Sequence, residues 1–135
     1  RTKPEMPAFR ADEHIRKRED FERIYNTGHR HSGRLMTMFV SSNGRAGARL
    51  GIAATRKMGS AVVRNRAKRL VRELFRHHKP TGRFDIVVVP RREMLDASSV
   101  TLEAEFRALL DRRNQPGRSH TVRSGPRGPR PDSRV

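Results

Sequence analysis

The sequence predicts an α+β fold, a small two-layer sandwich in which helices lie on one sheet. Three observations predict it. Helical and strand periodicities succeed one another along residues 14–112 in the order α, β, β, α, β, α. The run Asp85–Val89 (DIVVV) is nearly all apolar and reads as an interior strand. The chain of 135 residues has the length of one ordinary domain, flanked by arms too polar to join its core.

Residues 1–13 read as a flexible N-terminal arm, because Pro4 and Pro7 break any helix. Residues 14–27 look helical, with Phe21, Ile24 and Tyr25 at i, i+3, i+4 and Gly28 just past the end. Residues 35–41 alternate like a strand, Leu35, Thr37 and Phe39 on one face and Met36, Met38 and Val40 on the other. Ser42–Gly47 is a turn with Asn43-Gly44 at its apex, and a second strand covers about Arg49–Thr55. Ser60 caps the most legible helix, Ser60–His78, which meets no Gly or Pro until Pro80. Pro90 ends the strand at 85–89. The last helix, Thr101–Arg112, carries Leu102, Phe106, Leu109 and Leu110 at i, i+4, i+7, i+8. Residues 113–135 read as a disordered Arg/Pro-rich tail with almost nothing to bury. Two readings of that tail stay open: added RNA affinity, or a solubilising extension.

Lys and Arg number 31 against 14 Asp and Glu, a formal net charge of +17. Arg outnumbers Lys 26 to 5, a ratio suited to planar, bidentate contacts with phosphate. The tail does not hold all of it: residues 112–135 contain seven Arg and one Asp, leaving +11 on the other 111 residues. With no cysteine, disulfide scaffolds, thiol nucleophiles and cysteine-ligated zinc are excluded. No apolar run approaches the ~20 residues of a membrane span, and no signal-peptide stretch is seen. The expectation is a cytoplasmic domain that binds nucleic acid; an anionic membrane surface is the weaker alternative.

On a helical wheel Val63, Ala67, Leu70, Val71 and Leu74 cluster on one face of the 60–78 helix. Asn65, Lys68, Arg69, Arg72 and Arg76 lie roughly opposite, with Arg64 and Arg66 at the borders and Glu73 the one acid. A merely solvated face intersperses Glu with its Lys and Arg. This one is self-repelling until a polyanion neutralises it, so phosphate binding is the better reading.

The run Arg56–Arg76 (RKMGSAVVRNRAKRLVRELFR) resembles the signature of the bacterial ribonuclease P protein subunit. The matching positions are Lys57, Gly59, Ala61, Val62, Arg64, Asn65, Arg66, Lys68, Arg69 and Arg72, ten within sixteen consecutive residues. Glu19-Asp20-Phe21 through Gly28, Arg49–Ile52 and Asp85–Arg91 resemble the family's flanking segments. The resemblance implies a mostly four-stranded sheet in αβββαβα-like order. It also implies a left-handed β-α-β crossover, against the right-handed base rate.

In that family a large RNA subunit is the catalyst and removes the 5′ leader of precursor tRNA, with Mg²⁺ bound mainly by RNA. The resemblance thus implies an accessory subunit of a ribonuclease P holoenzyme, with ribonuclease P RNA and precursor tRNA as partners. It implies no catalytic residue, metal site or obligate protein partner in this chain. Arg64, Asn65, Arg66, Lys68, Arg69, Arg72 and Arg76 would face the catalytic RNA. Phe21, Tyr25 and Phe39 would line a cleft for the single-stranded leader, with Lys57 and Arg91 beside them. Aromatic platforms next to cations grip single strands without sequence readout. The competing reading is that Phe21 and Phe39 are ordinary core residues.

Three other readings are weaker. An intrinsic enzyme lacks support: the six His form no metal motif, His77-His78 complements a helix C-terminus, Gly44, Gly47 and Gly51 make no phosphate loop, and Asp20 and Asp85 lack acidic partners at a useful spacing. A structural, ribosomal-type RNA-binding protein would need the basic helix but no aromatic groove. A DNA-binding helix is disfavoured because no helix-turn-helix precedes it.

Overall fold

The computed structural model describes residues 13–44, 47–78, 80, 82–112 and 118–119. Within them lie α1 (Arg18–Thr27), β1 (His29–Ser32), β2 (Met36–Ser42), β3 (Arg49–Ile52), α2 (Ala61–His77), β4 (Phe84–Pro90), α3 (Ser99–Asp111) and β5 (Arg118–Ser119). The sheet order is β3-β4-β2-β1-β5, with β3 and β4 parallel and the other pairs antiparallel. The apolar run of β4 therefore sits between β3 and β2, where both its faces are covered. For the same reason the Asn43-Gly44 turn does not join paired strands.

β1 escaped the residue-level reading because HRHS offers no apolar alternation; only His31 of its four residues is buried. The expected N-terminal arm lies outside the described residues apart from Glu13. The tail does too, except that Arg118–Ser119 pair in register with Arg30 and His29. At those two positions the disorder expectation is replaced by a short edge strand. The helix expected from residue 14 begins at Arg18, because the backbone of residues 14–15 runs beside β3, where Ile15 N–H donates to the Leu50 carbonyl (2.9 Å).

The α+β class holds, but helices cover both faces, so the sandwich has three layers. On one face Met36, Met38, Val40, Leu50, Ile52, Ile86 and Val88 pack against Ala67, Val71, Leu74 and Phe75 of α2 and Leu102, Phe106, Leu109 and Leu110 of α3. On the other, Phe39, Ala53 and Val87 pack against Phe21, Ile24 and Tyr25 of α1. Because strand side chains alternate, a strand buried on both sides needs a helix on each. Gly51 makes α1 fit: a Cβ there would stand 2.8 Å from the Phe21 ring.

The crossover hand follows from the same faces. With β3 running upward and its α1 face toward the viewer, an L-residue whose side chain points forward directs its N–H to the right. Ala53 is such a residue, and its N–H meets the Val88 carbonyl at 3.0 Å. β4 thus lies to the right with α2 behind, a left-handed β3-α2-β4 connection.

Two carboxylates hold the layers together. Asp85 is fully buried and accepts from Arg49 (2.8 and 2.6 Å), Arg23 (2.7 Å) and Asn43 (3.0 Å). Glu105 of α3 accepts from the backbone N–H groups of Arg34 (3.1 Å), Leu35 (2.8 Å) and Met36 (3.0 Å), fastening α3 to the β1–β2 turn.

Candidate nucleic-acid interface

The N-terminus of α2 forms as its sequence dictates. Ser60 Oγ accepts from Val63 N–H (3.3 Å), satisfying one of the free donors of the first turn. Gly59 before it holds φ +133°, a conformation L side chains rarely adopt. Arg64 Nη1 donates to the Gly59 carbonyl at 2.9 Å, so this arginine ties the entering loop to the helix.

The buried side of α2 consists of Ala67, Lys68, Val71, Leu74 and Phe75. Relative to the face expected from the sequence, it is rotated by roughly 55° at 100° per residue. Phe75, a large ring, enters the core completely, and Lys68, two turns earlier on the same side, goes in with it. Lys68 is 1% exposed and is removed from the outward-facing set. Asn65, Arg66 and Arg69 are exposed, while Arg64, Arg72 and Arg76 are half-buried. Glu73 is exposed on the same side, one acid against these arginines, and the face stays cationic. His14 registers that field: its pKa is lowered by burial first, then by Arg16 and Arg72.

The second predicted group is brought together, but not as an open platform. Phe21, Tyr25 and Phe39 are 1%, 2% and 4% exposed, and the Tyr25 and Phe39 rings meet edge to face at 4.9 Å. As disposed here they are core residues beneath α1, which overturns their expected exposure. The reason is the second helical layer, which covers the sheet face the residue reading left partly open. Lys57 and Arg91 are exposed, and both line a groove of about 530 Å³ whose other lining residues include Arg92, one acid, Glu93, and the apolar Met58, Val89 and Pro90. Arg91 Nη2 donates to Thr37 Oγ1 (3.2 Å), two residues along β2 from Phe39. The groove therefore abuts the aromatic cluster. The sequence reading missed Arg30, which stands in register with Phe39 and shares its face. Recognising HRHS as a strand was the signal that would have found it.

A basic helix on one side and a cation-lined groove on the other suit a polyanion with two parts. The sequence model of the family Ribonuclease P matches residues 9–114. The chain belongs to the ribonuclease P protein family. The ribonuclease P protein component of Oleidesulfovibrio alaskensis is 41% identical over 102 residues, covering 71% of this chain and 79% of the relative. The solved ribonuclease P protein of Thermotoga maritima superposes with a TM-score of 0.67 at 37% identity, covering 74% of this chain and 96% of that one. The Staphylococcus aureus ribonuclease P protein, solved at 2.0 Å, gives 0.66 at 33% identity, covering 73% and 93%. A ribonuclease P role, with RNA binding and tRNA processing, is thereby supported over a structural ribosomal-type role. Among the described residues no helix is long and apolar enough to cross a membrane.

Proposed function

We propose that this ribonuclease P protein binds the catalytic RNA through the exposed side of α2 and guides the 5′ leader of precursor tRNA along the Lys57–Arg91 groove. The observation that carries the reading is the cationic side of α2, where Asn65, Arg66 and Arg69 stand outward and Arg64, Arg72 and Arg76 are half-buried beside them. Each phosphate neutralised there releases condensed counterions, so affinity comes with a steep salt dependence. The groove adds Lys57 and Arg91 beside the apolar Met58, Val89 and Pro90, with Arg30 opposite Phe39 on the α1 face of the sheet, a track for a single strand. Phosphodiester hydrolysis belongs in this proposal to the RNA, with Mg²⁺ held by RNA. The protein screens phosphate repulsion between RNA subunit and substrate. The buried Asp85 and the turn-binding Glu105 are committed to internal donors, which suits a binding subunit.

The test is cleavage of a precursor tRNA by a bacterial ribonuclease P RNA at low Mg²⁺, with and without this protein. Stimulation that requires the RNA, with no cleavage by protein alone, is the expected result. Tight RNA binding without stimulation would point instead to a structural RNA-binding role.

A further inference from the structure

Among the described residues only two large apolar side chains stand free in solvent, Val62 and Val100, at 77% and 76% exposed. A lone surface valine ordinarily needs no explanation. Val62 differs in its neighbours. It lies one turn before Asn65 and Arg66 and two turns before Arg69 on the same stripe of α2. On a wheel it falls about 20° from Arg69 and about 40° from Arg66, inside the cationic face. The other large apolar residues of α2 go elsewhere: Val71, Leu74 and Phe75 into the core, Val63 and Leu70 against it. Val100 holds the same first-turn position in α3, and neither first turn contains an acid, so what distinguishes Val62 is the cationic stripe around it.

We infer that Val62 is an RNA-contact residue. Its methyl groups seat against the apolar face of a nucleotide, base or ribose, of the ribonuclease P RNA whose phosphates Arg66 and Arg69 hold. The inference rests on the reading of α2 as the RNA-binding face. It explains why this turn carries a valine: an acid would repel the phosphates, and a solvated polar residue would add no burial. Apolar contact releases water but no counterions, so its share of the affinity is independent of salt, whereas that of the arginines is not.

That difference makes the test. Dissociation constants of the full chain for a bacterial ribonuclease P RNA are measured across a salt series for Val62→Ser, Val62→Leu, Val100→Ser and Arg66→Ala. Melting temperatures are recorded for each variant. Val62→Ser is expected to weaken binding about fivefold at every salt concentration with the parent slope, as partial burial of one valine implies. Val62→Leu keeps the affinity, Val100→Ser is silent, and Arg66→Ala lowers the slope by about one. If Val62→Ser stays within twofold of Val100→Ser while Arg66→Ala lowers the slope, the Val62 contact is overturned and the α2 reading stands. A slope change from Val62→Ser overturns it as well, since the loss would then act through the cations. An unchanged slope in Arg66→Ala would remove the α2 reading itself, and this inference with it.

Discussion

Asp85 is fully buried, and one carboxylate there accepts from side chains of α1, β3 and the loop after β2. Burial alone would raise its pKa; the hydrogen bonds from Arg49, Arg23 and Asn43 outweigh that and hold it below the usual carboxylate value. A folded-state pKa depressed in this way contributes stability above the unfolded value, which is lost as pH falls through the folded one. Asp85→Asn leaves two arginines facing a neutral amide. It should cost about 3 kcal/mol in urea unfolding at pH 7, with the deficit shrinking below about pH 4. An equal deficit at both pH values would show that shape, not charge, matters at this position. The sequence contained the signal: an acid heading an all-apolar strand needs a buried cation, and Arg49 was available. Its partnership with Arg23 across 62 residues could not be read locally.

At the scale of elements, α1 is held by apolar contact, by the Arg23–Asp85 pair and by its closing glycine. A Cβ at Gly28 would stand 2.7 Å from the carbonyls of Ile24 and Val40, so the chain turns from α1 into β1 where only hydrogen fits. Phe39 lies under this helix, whereas Lys57 stands in the open groove. Phe39→Ala should therefore destabilise the fold by about 3 kcal/mol and weaken leader-bearing and mature tRNA alike. Lys57→Ala should leave the melting temperature within a degree or two and weaken only the leader-bearing substrate, a few-fold at low salt. Thermal unfolding beside filter binding of the two tRNAs separates these outcomes. A leader-selective loss from Phe39→Ala at full stability would restore that ring to the RNA surface.

For the whole molecule, the internal carboxylates neutralise internal arginines, and the outer surface keeps the cations. Two imidazoles follow the same field. His31 is lowered by burial first, then by Arg112 and His29, and His14 by burial, Arg16 and Arg72. Both are disfavoured as cations in the folded chain, so their share of stability is present above about pH 6.5 and is lost as pH falls through their folded values. The melting temperature should drop between pH 7 and pH 5, and His31→Gln should flatten that drop. Calorimetry across the range checks it, and a drop as steep in His31→Gln would assign the effect to other groups.

Local periodicity was enough to locate α1, α2 and α3, the strands β2, β3 and β4, the caps at Ser60 and Gly28 and the cationic side of α2, because each depends on residues within a few positions of one another. Its charge and its ten-position motif determined the partner class. Tertiary structure decided what depends on distant residues. It settled which face of α2 is buried, since Phe75 brings Lys68 inside with it. It inserted β4 between β2 and β3, which follow each other in the chain, and it put α1 on the far side of the sheet, closing it over Phe21, Tyr25 and Phe39. Helix rotation, strand order and layer assignment are chosen by the total apolar surface buried across the sheet. No single segment contains that sum.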